Sequence, residues 1–352
     1  MKKWSIALMI VLASGLISQA ARSEVKLKGC MFADYYYVAS HHSGPTDEGG
    51  VEGRHGFWLR RIYFTAENKL ADNIKVRLRL EMSSPGKFPF DSSDKVSAVV
   101  KDAYLSCKTG RQELFFGIVS TPTFGHHIED IWGYRSLEKT PLDLMKMASS
   151  RDFGIGLKGS LDEGKTVNYY ILFGNGASNR GETDKGKKIY GSLAFKPVRG
   201  LTLEAYGDYE YQKDHKSYYV IQGFGAFQGN WGRIGAMYAR RHFDQEETGY
   251  DFDLISGFVV VKAAKDVDVI ARCDRMFGEG FEDHFKGDGV SYVPFANRPG
   301  APFNLFIGGI SWEAAKNIWL IPNIKYVFYD DPDVGEKPSK DIYTNMTVWF
   351  KF

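Results

Sequence analysis

Residues 74–82 read Ile74-Lys75-Val76-Arg77-Leu78-Arg79-Leu80-Glu81-Met82. Successive side chains leave an extended chain on opposite faces. Ile74, Val76, Leu78, Leu80 and Met82 therefore share one side, and Lys75, Arg77, Arg79 and Glu81 the other. One face suits hydrocarbon and the other suits water. The same split recurs at Phe153, Ile155 and Leu157 against Lys158, and at Val267, Val269 and Ala271 against Arg272 and Asp274. It appears again at Leu201, Leu203 and Ala205 against Thr202, Glu204, Tyr206 and Asp208.

Working outward from that stretch, extended segments of roughly ten residues follow one another with no convincing helical period between them. They are expected near 25–39, 54–68, 74–82, 98–108, 113–122, 152–159, 167–174 and 187–196. Eight more are expected near 201–212, 217–228, 231–242, 251–262, 267–277, 303–313, 318–329 and 341–352. About sixteen strands of this kind predict an all-β chain: a transmembrane antiparallel β-barrel over 24–352. Tight polar turns such as 69–73, 109–112, 161–164, 198–200, 229–230 and 264–266 alternate with longer connections at 40–53, 83–97, 123–151, 278–302 and 330–340. A barrel with short turns on one side of a membrane and long loops on the other has that rhythm. Tyr35, Tyr37, Trp58, Tyr209, Tyr211, Trp312, Tyr329 and Phe350 fall at strand ends, where aromatic girdles are expected.

Composition agrees. The chain has 352 residues, 15% of them aromatic, yet its mean hydropathy is −0.30. That average excludes a helical membrane bundle but not a barrel, whose two faces cancel. Lys2 and Lys3 followed by the apolar stretch 6–17 and small residues near 18–23 read as a cleaved export signal over 1–23. Without Lys2, Lys3 and Arg22 the 45 basic residues become 42, against 43 acidic ones, so a general attraction to nucleic acid is not expected. Cys30, Cys107 and Cys273 lie far apart and cannot all pair, so no disulfide framework is expected.

The last strand, Asn345-Met346-Thr347-Val348-Trp349-Phe350-Lys351-Phe352, places Phe352, Phe350, Val348, Met346, Thr344 and Ile342 on one almost wholly apolar face. An alternating strand closed by a terminal Phe resembles the assembly signal of Gram-negative outer-membrane porins. A longer resemblance covers about a third of the chain. It runs through Leu59-Arg60-Arg61-Ile62-Tyr63-Phe64, the 74–82 strand, Lys101-Asp102-Ala103-Tyr104-Leu105, Gly117-Ile118-Val119-Ser120-Thr121-Pro122 and Asp152-Phe153-Gly154-Ile155-Gly156-Leu157-Lys158-Gly159. These stretches are similar to porins of the phosphate-selective O and P type and to related anion or general porins.

The resemblance implies a homotrimeric channel in outer-membrane lipid and lipopolysaccharide, and a loop at 123–151 that folds into the barrel and narrows it. Candidate constriction residues there are Glu129, Asp130, Arg135, Glu138 and Lys139. Facing them, the expected basic lining is Arg61, Lys75, Arg77 and Arg79, with Lys158 and Arg272 further round. Arg60 and Arg61 are adjacent and share a face only if the strand bulges, and alternation with Tyr63 and Thr65 favours Arg61. These charges could also be paired with Glu67, Glu81 and Asp102 rather than free.

His126 and His127 beside Glu129 and Asp130 have metal-ligand residue types, but no spacing supports a metal, and they read as polar loop contacts. His41 and His42 are expected to be solvated in an outer loop. No nucleophile and base converge on one face, so no enzyme activity and no cofactor are expected. The expected function is passive diffusion of small hydrophilic solutes and ions. A phosphate- or anion-selective channel is the alternative, and an outer-membrane enzyme or adhesin a more distant one.

Overall fold

The computed structural model describes residues 24–83, 96–124, 127–212, 217–244, 249–279 and 289–352. The export signal expected over 1–23 lies outside them. The first strands are β1 Lys26–Ser40, β2 His55–Ala71, β3 Ile74–Ser83 and β4 Ser97–Thr109. Then come β5 Gln112–Ser120, β6 Arg151–Ser160, β7 Val167–Gly174 and β8 Lys187–Phe195. The second half holds β9 Leu201–Tyr211, β10 Tyr218–Gly229, β11 Gly232–Phe243 and β12 Tyr250–Ala264. The last four are β13 Val267–Gly278, β14 Phe303–Ala315, β15 Ile318–Tyr329 and β16 Asp341–Lys351. Each strand pairs antiparallel with its sequence neighbours, and β1 closes the ring on β16, with Tyr35 opposite Met346. Closure leaves no open sheet edge, which is what a strand structure in lipid requires.

Asp72-Asn73, Gly110-Arg111, Asn230-Trp231, Lys265-Asp266 and Lys316-Asn317 are two-residue connections at one end of the ring. Longer connections lie at the other end. At the short-turn end, Gly29 and Phe352 exchange two backbone hydrogen bonds of 2.7 and 3.0 Å across the β1–β16 seam. Gly117 on β5 needs its glycine: its φ is +131°, and a Cβ there would lie 2.2 Å from the Ala103 carbonyl oxygen.

The alternation read from residues 74–82 holds around the ring. Leu78, Ile155, Leu203 and Val269 point outward and are exposed, while Glu81, Glu204, Arg272 and Asp274 point inward and are buried. Two departures stand out. Trp58 and Tyr329, expected in the girdles, are turned inward: Trp58 packs against Tyr292, and the Tyr329 hydroxyl donates to Asp341 at 2.7 Å. From β10 to β15, moreover, the inward face is itself largely apolar. Phe224, Met237, Leu254, Phe258, Ile270, Leu305 and Ile321 are buried there, in one cluster with residues of 123–151. Burying that apolar area at about 25 cal/mol per Å² fastens the long connection to this side of the ring.

Candidate functional site: an ion-paired wall and the loop facing it

Beta-bulges shape the basic wall. Phe32 pairs with Arg61 and Ala33 with Leu59, so Arg60 is the extra residue on β2. Arg79 pairs with Asp102 and Leu80 with Val100, so Lys101 is the extra residue on β4. A bulge re-aims one side chain without losing the ladder on either side. It lets Arg60 and Arg61 both turn inward, resolving the alternation problem noted above, and it adds Lys101, which strict alternation had hidden.

The inward charges are paired in a chain. Lys28 and Arg77 reach Glu67 at 2.9 and 2.8 Å. Arg61 and Lys101 share Glu81 at 2.7 and 3.2 Å. Arg77 and Arg79 reach Asp102 at 3.1 and 3.5 Å, and Arg151 is hydrogen-bonded to the same carboxylate. The paired arrangement thus prevails over free charges, yet it does not neutralise the wall. Six cations, Lys28, Arg61, Arg77, Arg79, Lys101 and Arg151, share the three carboxylates Glu67, Glu81 and Asp102.

The described residues of 123–151 contain two short helices, α1 Ile128–Trp132 and α2 Pro141–Leu144. Arg60 on β2 donates to the Leu137 carbonyl at 2.7 Å. Thr123 donates to Glu204 on β9 at 2.8 Å, Arg233 on β11 donates to the Trp132 carbonyl at 3.0 Å, and Tyr134 donates to Asp268 on β13 at 2.7 Å. In a ring of sixteen, β2 and β9 to β13 lie on opposite sides.

The expected constriction residues do different things. Glu129 and Arg135 line a cavity of about 270 Å³ together with Lys28, Arg77 and Arg79. Arg135 reaches Glu129 and Asp143 only loosely, at 3.9 and 3.8 Å. Its Nη1 is buried with no hydrogen-bond partner among the described residues. Asp130 is exposed. Glu138 is fully buried and accepts from Ser291 Oγ (2.8 Å), the Tyr292 N–H (2.7 Å) and Lys325 Nζ (2.9 Å). Burial alone would raise its carboxyl, but Lys325, the Tyr292 N–H and Arg272 hold it down at about 2. Asp143 is likewise held at about 2, burial being outweighed by Lys139, Arg135 and Lys101.

Among the other lining candidates, Lys158 pairs with Glu113 at 3.6 Å. Lys75 lines a cavity of about 480 Å³ at the short-turn end, with Lys26, Lys28 and Arg77 among its neighbours. Arg272 points inward but is sealed beneath the loop: it is 2% exposed, clamps Asp274 and donates to the Lys139 carbonyl. The sequence reading missed Lys101 and Tyr292 as members of the site. The first is hidden by its bulge, and the last sits in a connection without periodicity.

His126 lies outside the described residues, and His127 is pushed down to about 4 by burial, with Lys196 adding to the effect. His41 departs from the solvated expectation, because the end of β1 packs it against the Phe295 segment: it is buried, with Nδ1 on Ser43 and Nε2 on the Phe295 carbonyl. His42 donates to Asp341 at 2.9 Å. The ligand atoms of His41, His42 and Asp341 lie within 4.8 Å of one another, but protein groups already engage them. The three cysteines are free.

These features define a closed sixteen-stranded antiparallel barrel with an apolar exterior and a charged inner wall on one side. No family model and no curated protein matches the chain. Solved structures do match its fold. The anion-selective porin from Comamonas acidovorans aligns with a TM-score of 0.66 at 12% identity, covering 94% of this chain and 100% of that one. The outer-membrane channel DcaP of Acinetobacter baumannii gives 0.64 at 11% identity, covering 94% and 97%. The trimer form of OmpT, an outer-membrane protein of Vibrio cholerae, gives 0.59 at 13% identity, covering 94% and 99%. At such identities the likeness is one of fold.

Proposed function

We propose that the protein is an outer-membrane porin: a water-filled channel through which small hydrophilic solutes and ions diffuse passively, without turnover chemistry or a cofactor. One observation carries the reading. A closed barrel with apolar residues outward encloses a wall of ion-paired charge, and residues 123–151 bind strands on opposite sides of the ring. In this reading the loop narrows the lumen, and charges held in a low-dielectric wall act strongly on whatever passes. The Gram-negative outer membrane, with lipopolysaccharide around the barrel, is the corresponding location, and 1–23 the export signal. The named trimer of Vibrio cholerae OmpT, similar in fold, supports a homotrimer. Liposomes carrying the purified protein should swell in small sugars, at rates falling with sugar size. Folded protein that gives no swelling in any sugar would refute the reading.

A second reading, a channel preferring phosphate or other anions, is favoured by the charge count. Six cations to three carboxylates along the wall leave it positive. Toward the short turns, Lys108, Arg111, Lys158, Lys165 and Lys196 line a further cavity, with Glu113 the one carboxylate among its described lining residues. The fold likeness to an anion-selective porin points the same way. Arg in such a wall can replace part of an anion's hydration shell.

A further inference from the structure

The connection between β13 and β14 carries a second group of buried residues facing the wall. Within 289–302, Val290, Ser291, Val293, Phe295, Arg298 and Ala301 are all buried. A connection lying out in solvent would not bury its side chains this way. Its backbone is held as well. The Tyr292 N–H and Ser291 hydroxyl donate to Glu138, and Lys325 donates to the Tyr292 carbonyl at 3.2 Å. Phe295 stands at φ +65°, a conformation that non-glycine residues seldom adopt and that persists only where packing enforces it. Here Tyr36 and the Arg54 guanidinium pack on its ring.

These contacts deliver Tyr292 into the basic cluster. Arg60, Arg61, Arg135 and Lys139 all stand within 4.9 to 5.8 Å of its ring centroid. Its hydroxyl accepts from Arg61 at 2.7 Å and donates to the Arg60 carbonyl at 3.1 Å. An aromatic face attracts each cation, and the ring covers cations that a passing anion would otherwise meet. Tyr292 is itself only partly buried.

Resting on the porin reading above, we propose that residues 289–302 form a second narrowing element of the channel and that Tyr292 limits its preference for anions over cations by covering Arg61, Arg135 and Lys139. An anion entering the cluster competes with the phenol for Arg61 and meets the unpartnered Nη1 of Arg135 beside it. Removing the ring should widen the path and uncover positive charge together.

The test is single-channel recording of wild type, Y292F, Y292L and Y292A in planar bilayers under a KCl gradient. Y292F should keep the wild-type conductance, because the ring remains. Y292A should conduct more and shift its reversal potential toward that of chloride. Y292L retains bulk without the ring, so its potential should shift with less gain in conductance. Should Y292A fail to assemble, Y292L alone decides, and a wild-type potential there overturns the proposal. Wild-type conductance and potential in both Y292A and Y292L would do the same. A wild type that forms no channel removes the porin reading first, and this inference with it.

Discussion

Replacing Glu138 with Ala removes the carboxylate that joins residues 123–151, the 289–302 segment and β15. The Lys325 ammonium, 1% exposed, is then left without its counter-ion. Breaking one side of a buried ion pair costs about 3–5 kcal/mol. The carboxyl itself gives a similar figure. Held at about 2 instead of its ordinary 4.5, its charged form favours the docked loop by about 3 kcal/mol. That energy bears on loop docking rather than on the backbone ladder of the barrel, since Glu138 reaches β15 through the Lys325 side chain. Where opening is fast relative to cleavage, proteolysis tracks the open population, so about 3 kcal/mol corresponds to about 150-fold faster cutting. Trypsin has sites at Arg135, Lys139 and Lys146 in this connection. The assay is limited trypsin digestion of the folded barrel in micelles, with the cut sites read by mass spectrometry. E138A/K325M should recover much of the protection, since no charge is left unpaired. Wild-type cutting rates in E138A would refute the reasoning.

Other outcomes follow from the same contacts. Because the carboxyls of Glu138 and Asp143 are both depressed to about 2, their contribution to docking is complete above pH 4.5. It declines as pH falls and is gone below about 2, so channel current should become noisier through that window and steady above it. D102N removes one of the three wall carboxylates and should shift the reversal potential toward chloride, whereas an unchanged potential would place Asp102 outside the ion path. G117A forces a side chain into a left-handed backbone against the Ala103 carbonyl and should lower stability toward urea by about 1–3 kcal/mol. Cys273 points outward and is exposed, so an apolar maleimide should label it in liposomes faster than a charged one if that face meets lipid.

The ring itself was legible in the sequence because one face of most strands is apolar and the other charged. Ile74 to Met82 shows this in nine residues, and the strand at 74–83 starts where the alternation does. What alternation cannot reveal is a place where it breaks. Arg60 and Lys101 are each the extra residue of a bulge, and a period of two assigns such residues to the wrong face. It also fails where both faces are apolar. Leu254 and Ile255 look equivalent in sequence, yet one packs in the interior and the other is exposed. Glu138 carried the right residue type for a channel lining, but burial by Lys325 and Tyr292, residues distant in sequence, makes it a fastening point. Tyr292 had no local signal, since only the fold brings it to Arg61.

The measurement that bears most directly on the central claim is the current through purified protein in a planar bilayer under a KCl gradient. A water-filled channel with a positive wall predicts discrete conductance steps and a reversal potential displaced toward chloride. Folded protein that gives no steps would contradict the channel itself, and steps with a cation preference would contradict the role assigned to Arg61, Arg77, Arg79 and Lys101.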